Sequence, residues 1–289
     1  MQTDAADASD HEGAARAIAE GIRTGHSKEK PGYWLHTGGT GILTWEDSEN
    51  DRLGEWSEKE YNDWTGVDEL TSLPDSAFHR NVDKVVLEAG IKHGDVIKTN
   101  IVCPPTIYGE CLQPRQYYSH NLTHHPGNGR GPVNPRCRQV YELAKLVLTG
   151  QYVPIIGPGK ARWNYIHVAD LADVYVLLVE AAVAGNTDAE LWGAKGYTLT
   201  ERGEHIWGDL ARTVGKKAIE LGYLKDPEEK ALAKDAALDQ AGFEAISWGL
   251  NSRGKAERAG KVLGWKPTRC SIEEEVPEIL KAEHARLQR

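Results

Sequence analysis

Apolar residues recur at helical spacing at Ala14, Ala15, Ile18, Ala19 and Ile22, which predicts an amphipathic helix over residues 13–22, followed by a short buried strand at residues 32–36. A second helix is expected to open at Pro74 and Asp75, with Phe78, Val82, Val85, Val86 and Ala89 on one face and Gly90 near its end. The next strand, residues 96–103, stops at Pro104-Pro105. A third helix carries Val140, Leu143, Ala144 and Val147 up to Gly150, and residues 152–156 form a strand closed by Gly157-Pro158-Gly159. Residues 164–168 read as a strand running into a nearly all-apolar helix, 171–184, expected to be buried. Residues 44–73 lack a clean period and read as a surface excursion, and residues 203–221 and 227–241 read as charged helices. Helices alternating with short strands imply a parallel sheet covered on both faces, hence an α/β protein.

A net charge of -9 argues against nucleic acid or an anionic membrane as the main partner. No run of about 18 apolar residues exists to span a membrane. Residues 1–12 are acidic and polar where a secretory signal needs a basic start, so a cytoplasmic location is expected. Cys103, Cys111, Cys137 and Cys270 form no C-x-x-C pair and read as reduced thiols. No metal is expected: His120, His124 and His125 lie close together, but without a carboxylate or cysteine at ligand spacing.

Five stretches, in order, resemble the extended short-chain dehydrogenases/reductases, and especially their NAD-dependent epimerase/dehydratase branch. His36-Thr37-Gly38-Gly39-Thr40-Gly41 ends a strand where that family places a Ser/Thr cluster, and the helix at residues 78–90 stands where it places Tyr-x-x-x-Lys. Cys103-Pro104-Pro105-Thr106-Ile107-Tyr108-Gly109 resembles its Arg-Pro-x-x-x-Tyr-Gly loop, and Tyr165-Ile166-His167-Val168-Ala169-Asp170-Leu171-Ala172 its His-Val-x-Asp-x-Ala signature. Leu263-Gly264-Trp265-Lys266-Pro267 resembles its closing Leu-Gly-Trp-x-Pro. The resemblance implies a Rossmann-type doubly wound sheet lacking its first strands over residues 1–150, and the last Rossmann elements with a smaller, mainly helical substrate region over residues 151–289. It further implies NAD or NADP as cofactor, a small-molecule substrate of carbonyl or sugar type, and room for a homodimer.

The family's chemistry uses a tyrosine that exchanges a proton with substrate and a lysine one helical turn later. Lys84 stands in the lysine's place, but the residue four before it is Arg80, which keeps its proton at any useful pH. The resemblance therefore leaves Lys84 and Thr40 as catalytic candidates, Thr37, Lys84 and Pro104 as cofactor contacts, and Tyr108, Arg162 and Asn164 as substrate contacts. Asp170 is expected to cap its helix, and His167 to be a packed strand residue. Residues 37–44 imitate a glycine-rich phosphate turn, but residues 45–56 show no apolar stripe of a following helix. With the family's phosphate turn expected on earlier strands, this chain is expected to be inactive by itself. Two functions stay open: an oxidoreductase or epimerase with non-standard acid/base residues, and a non-catalytic cofactor-binding regulator. Residues 110–127 interrupt the family pattern and read as an insertion; their codons can hold the donor, branch and acceptor signals of a retained intron, and few apolar anchors predict a loose segment.

Overall fold

A computed structural model describes residues 2–4, 8–109 and 136–289, so the insertion at 110–127 lies outside the described residues. In chain order the first elements are β1 (Gln2–Asp4), α1 (Glu12–Gly25), β2 (Gly32–Thr37), α2 (Trp45–Glu49), β3 (Tyr61–Asn62), α3 (Val67–Thr71), α4 (Arg80–Lys92), β4 (Ile97–Cys103) and β5 (Thr106–Tyr108). They are followed by α5 (Gln139–Gly150), β6 (Val153–Ile156), β7 (Arg162–His167), α6 (Val168–Val183), β8 (Tyr197–Leu199), β9 (Gly203–Ile206) and α7 (Trp207–Glu220). The last are β10 (Glu229–Leu232), α8 (Lys234–Ser247), β11 (Gly254–Lys255), α9 (Arg258–Leu263) and α10 (Ile272–Leu287).

The expected parallel sheet is present as β1-β2-β4-β8, with every pairing parallel. Successive side chains of a strand face opposite sides. Trp34 of β2 accordingly packs with Ala15 and Ile22 of α1 and Val82 and Val86 of α4, whereas Tyr33 and Leu35 pack with Leu171, Val174 and Leu178 of α6. Both faces are thus covered, which is why β2 reads as an unbroken apolar run rather than an alternating one. The polar start of the chain is not outside the sheet: Gln2, Thr3 and Asp4 pair with Trp34, Leu35 and His36.

A further core gathers α5, α7, α8 and α10 around β6, with Trp163, Trp207 and Trp248 inside it. Two expected helices there begin as strands. Residues Gly203–Ile206 pair antiparallel with β7, and Glu229–Leu232 pair parallel with β6, before α7 and α8 start. A free sheet edge beside each segment supplies ladder partners, and that pairing overrides the helical spacing of their side chains.

Three other expectations are corrected. Residues 44–73 are no surface excursion, since Tyr61, Val67, Leu70 and Leu73 are buried against the main sheet, and α2 forms where no helix was expected. The segment is anchored by Asp63, which accepts the amides of Leu199, Glu257 and Arg258 at 2.8–3.0 Å, an arrangement with no sequence period to reveal it. The helix expected from Pro74 starts only at Arg80, because His79 adopts a left-handed backbone (φ 65°) that ends the preceding turns, and Phe78 is left 41% exposed. The apolar helix α6 is buried on one face only; Val176 and Val183 are 53% and 80% exposed. Among the described residues, no helix is long and apolar enough to cross a membrane.

Candidate functional site

A cleft of about 510 Å³ opens beyond the carboxyl ends of β2 and β4, the place where open parallel sheets carry ligands. Gly38, Gly39, Thr40 and Gly41 leave β2 along one wall, and Pro104 and Pro105 leave β4 beside them. Phe78 and His79 enter from the turn before α4, and Ser9 and Asp10 from the 3-10 turn after β1. The opposite wall is Cys137, Arg138 and Gln139 at the start of α5, Trp163 of β7, and Phe243, Glu244 and Ser247 of α8.

That far wall is braced by paired groups. Gln139 accepts from Thr106 Oγ1 (2.7 Å) and donates to Ser247 Oγ (2.9 Å), and Arg138 lies 2.5 Å from Glu244. The rings of Phe78 and Phe243 meet at 5.2 Å. The near wall is polar. His79 Nδ1–H donates to the Asp10 carboxylate at 2.7 Å, and the ring rests tilted on Phe78. A Cβ on Gly39 or Gly41 would come 3.8 Å from His79 Nε2, so this nitrogen faces the glycine loop. Thr40 Oγ1 is buried with no hydrogen-bond partner among the described residues.

One helical turn beyond His79, Asp83 is buried beneath Gly38. Its Oδ2 accepts from Tyr197 (2.9 Å), its Oδ1 lies 3.8 Å from His36 Nε2, and Tyr197 also approaches Cys103 Sγ at 3.6 Å. Burial pushes the Asp83 carboxyl up to about 7, against the lowering effects of Tyr197 and Arg80, and the same burial raises the Cys103 thiol.

His79 lines the cleft, and Asp83, four residues on, is buried beneath Gly38 without lining it; the two stand one position earlier than the Arg80 and Lys84 expected from the resemblance. Lys84 points to the outer side of α4, ion-paired with exposed Asp75 at 2.7 Å in a shallow cleft shared with Glu12, Arg16 and Glu88. Arg80 is buried and donates to the Thr71 carbonyl. A pair four apart stands at both 79/83 and 80/84, and the lysine drew the alignment to the second.

Of the other expected site residues, Thr40 and Pro104 line the cleft. Thr37 does not, its hydroxyl being bonded to Tyr175 of α6. Tyr108 is buried with its hydroxyl on the Cys270 carbonyl, and burial raises its phenol. Arg162 is held by Glu204 (2.6 Å) and lies over the Trp56 ring (4.1 Å), and Asn164 accepts the Gly254 amide at 2.6 Å and donates to the Gly203 carbonyl. The structure thus brings two of the seven together and uses the other five elsewhere.

Residues 37–44 run, contrary to expectation, into helical turns, a 3-10 segment at Thr40–Thr44 and then α2. They still form no phosphate cradle, because the Gly38 and Thr40 amides donate to the Val102 and Pro104 carbonyls at 2.9 and 3.0 Å. His167 rather than Asp170 caps α6, its Nδ1 accepting the Ala169 amide at 3.1 Å. Asp170 instead holds the chain after α9, accepting the Thr268 and Arg269 amides at 3.0 and 3.1 Å. His167, Cys270 and Glu275 bring ligand atoms within 4.8 Å of one another. With Nδ1 accepting, however, the neutral His167 ring keeps its proton on Nε2, the reverse of a metal-bound imidazole that donates through its second nitrogen.

Residues 112–190 match the NAD dependent epimerase/dehydratase family. The oxidase ucsJ of an Acremonium species is 31% identical over 287 residues, spanning 96% of this chain and 76% of that protein. The fold is similar to that of the dTDP-glucose 4,6-dehydratase DesIV of Streptomyces venezuelae, solved with NAD bound (TM-score 0.57, 12% identity, 95% of this chain and 66% of that one). It is also similar to that of the UDP-glucose 4-epimerase of Thermotoga maritima, solved with UDP-glucose (TM-score 0.53, 14% identity, 97% and 71%). This chain spans about two thirds of the length of those structures. With nearly the whole chain aligned to a relative of that identity, and with the family's motifs in their order along the sheet, the protein belongs to the NAD-dependent epimerase/dehydratase family.

Proposed function

We propose that the cleft takes the nicotinamide end of NAD(H) or NADP(H) together with a small hydroxyl- or carbonyl-bearing molecule, and that the protein is an oxidoreductase of epimerase/dehydratase type. The observation that carries this reading is the cleft at the strand ends, walled by glycines on the side where a flat ring would lie and floored by the unpaired Thr40 hydroxyl. When bound, the cofactor would supply hydride transfer. The chain's own residues do the rest. Gly38 and Gly39 give backbone access, Thr40 offers a hydrogen bond, and the Phe78 and Phe243 rings narrow the mouth and exclude water. The cofactor side falls within residues 1–150, and Trp163 and α8 face the substrate from residues 151–289. A cytoplasmic location and a homodimer accord with this reading.

Residues 37–44 fit a ring and a ribose better than a pyrophosphate, since two of their amides are already bonded. This supports weak binding of the whole dinucleotide by this chain. Titration with reduced nicotinamide mononucleotide, NADH and NADPH, followed by tryptophan fluorescence from Trp163, tests it. The expected result is saturable binding in the millimolar range with similar affinities for the mononucleotide and the dinucleotides. No binding of any of them overturns the reading, and micromolar binding of NADH or NADPH alone reinstates residues 37–44 as a phosphate site. A second reading, a cofactor-binding regulator without turnover, is favoured by one observation: a buried carboxylate, Asp83, lies beneath the cleft on the helix face where the family carries its lysine.

A further inference from the structure

We propose that His79 is the proton-transfer residue of this site and that Asp10 is its positioning residue; the inference rests on the oxidoreductase reading above. His79 lies on the near wall of the cleft as the cap of α4, one residue before Arg80, the position at which the family's proton-exchanging tyrosine is expected. Its backbone is left-handed at φ 65°, a conformation that costs a non-glycine residue on the order of 1–3 kcal/mol and that recurs at functional sites. That strain turns the ring out of the helical stripe and toward the Gly39–Gly41 loop, 3.8 Å from where a Cβ at either glycine would stand.

Asp10 completes the arrangement from a different part of the chain. Its carboxylate accepts from Nδ1–H at 2.7 Å, which fixes the tautomer with the proton on Nδ1 and the lone pair on Nε2, the nitrogen turned to the glycine loop. The half-exposed Asp10 stabilises the imidazolium that forms when Nε2 takes a proton. In the oxidising direction the substrate O–H bond would break, its proton passing to Nε2 as the oxygen electron pair forms the carbonyl; a bound oxidised nicotinamide cofactor would supply the acceptor for the hydride leaving the same carbon. In the reducing direction Nε2–H returns the proton to the alkoxide oxygen.

The test has a readout that needs no turnover. Long-range 1H–15N spectra of histidine-labelled protein, with the His79 signals assigned by their loss in His79→Gln, should show Nδ1 protonated and Nε2 carrying the lone pair. In Asp10→Ala the two tautomers should become mixed. A proton on Nε2 in the unmodified protein overturns the proposal. The second arm measures turnover of a panel of small secondary alcohols and sugars with millimolar NAD or NADP. His79→Gln should lower kcat by about 100-fold or more, the usual contribution of a general base, with binding of the reduced mononucleotide unchanged. Asp10→Ala should lower kcat less, and Asp10→Glu should restore part of the loss. Turnover that survives His79→Gln sinks this inference alone; absence of turnover with every alcohol and both cofactors in the unmodified protein counts against it together with the oxidoreductase reading.

Discussion

Around β7 three polar side chains are tied down, Arg162 to Glu204, Asn164 to the Gly254 amide and Gly203 carbonyl, and Asp170 to the Thr268 and Arg269 amides, while the Trp163 and His205 ring nitrogens beside them are buried without a hydrogen-bond partner among the described residues. At the strand ends of β2 and β4, in contrast, Thr40 Oγ1 and Asp83 Oδ1 are buried without a hydrogen-bond partner among the described residues, with His36 Nε2 3.8 Å from the carboxylate. Both regions hold family-like motifs, so sequence similarity weighs them alike. Pairing separates Arg162, Asn164 and Asp170 from Thr40 and Asp83. A buried group with all its bonds made holds the chain together, whereas an unpaired one costs free energy that a ligand can recover.

The largest expected effect lies in the paired region. Asp170→Ala leaves two amides without acceptors, and should lower stability by about 3–5 kcal/mol in a urea or thermal melt without altering mononucleotide affinity of the folded protein. A loss below about 1 kcal/mol would blur the distinction between the regions. Next comes Asp83. Its folded pKa, about 7, lies above the usual carboxylate value, so its contribution to stability is fully present below about pH 4 and is lost as pH rises toward 7. Asp83→Asn removes this dependence. The variant should match the parent near pH 4 and exceed it at pH 8 by on the order of 4 kcal/mol; parallel stability curves across that range would mean the carboxyl is not desolvated. The smallest effects separate binding from stability. Thr40→Val should change stability by no more than about 0.5 kcal/mol yet weaken mononucleotide binding, while Lys84→Ala, on the outer face of α4, should leave both unchanged. Weakened cofactor binding in Lys84→Ala would restore the register that the resemblance suggested.

Much of the fold was legible because its signals are local. The α1 stripe, the β2 and β4 runs, the helix ending at Gly150 and the Gly157-Pro158-Gly159 turn all stand close to where their spacing put them. What failed was decided by neighbours distant in sequence. Gln2–Asp4 and Gly203–Ile206 are strands because a sheet edge lies beside them, and residues 44–73 are buried because Asp63 finds amides from residues 199, 257 and 258. The site divides in the same way. Thr40 and Pro104 were reachable from motif order, but His79 stands one residue outside the register that Lys84 sets, and Asp10 sits 69 residues from the histidine it holds.

The sequence by itself determined the family and the parallel α/β arrangement, because apolar spacing and motif order survive without knowledge of long-range contacts. Only the tertiary structure decided which residue at the start of α4 reaches the cleft. Two i, i+4 pairs, 79/83 and 80/84, differ by a single residue, and about 100° of helical rotation separates their directions. The left-handed turn at His79 and the burial of Asp83 against Tyr197 fix that rotation, and neither leaves a mark on the local sequence.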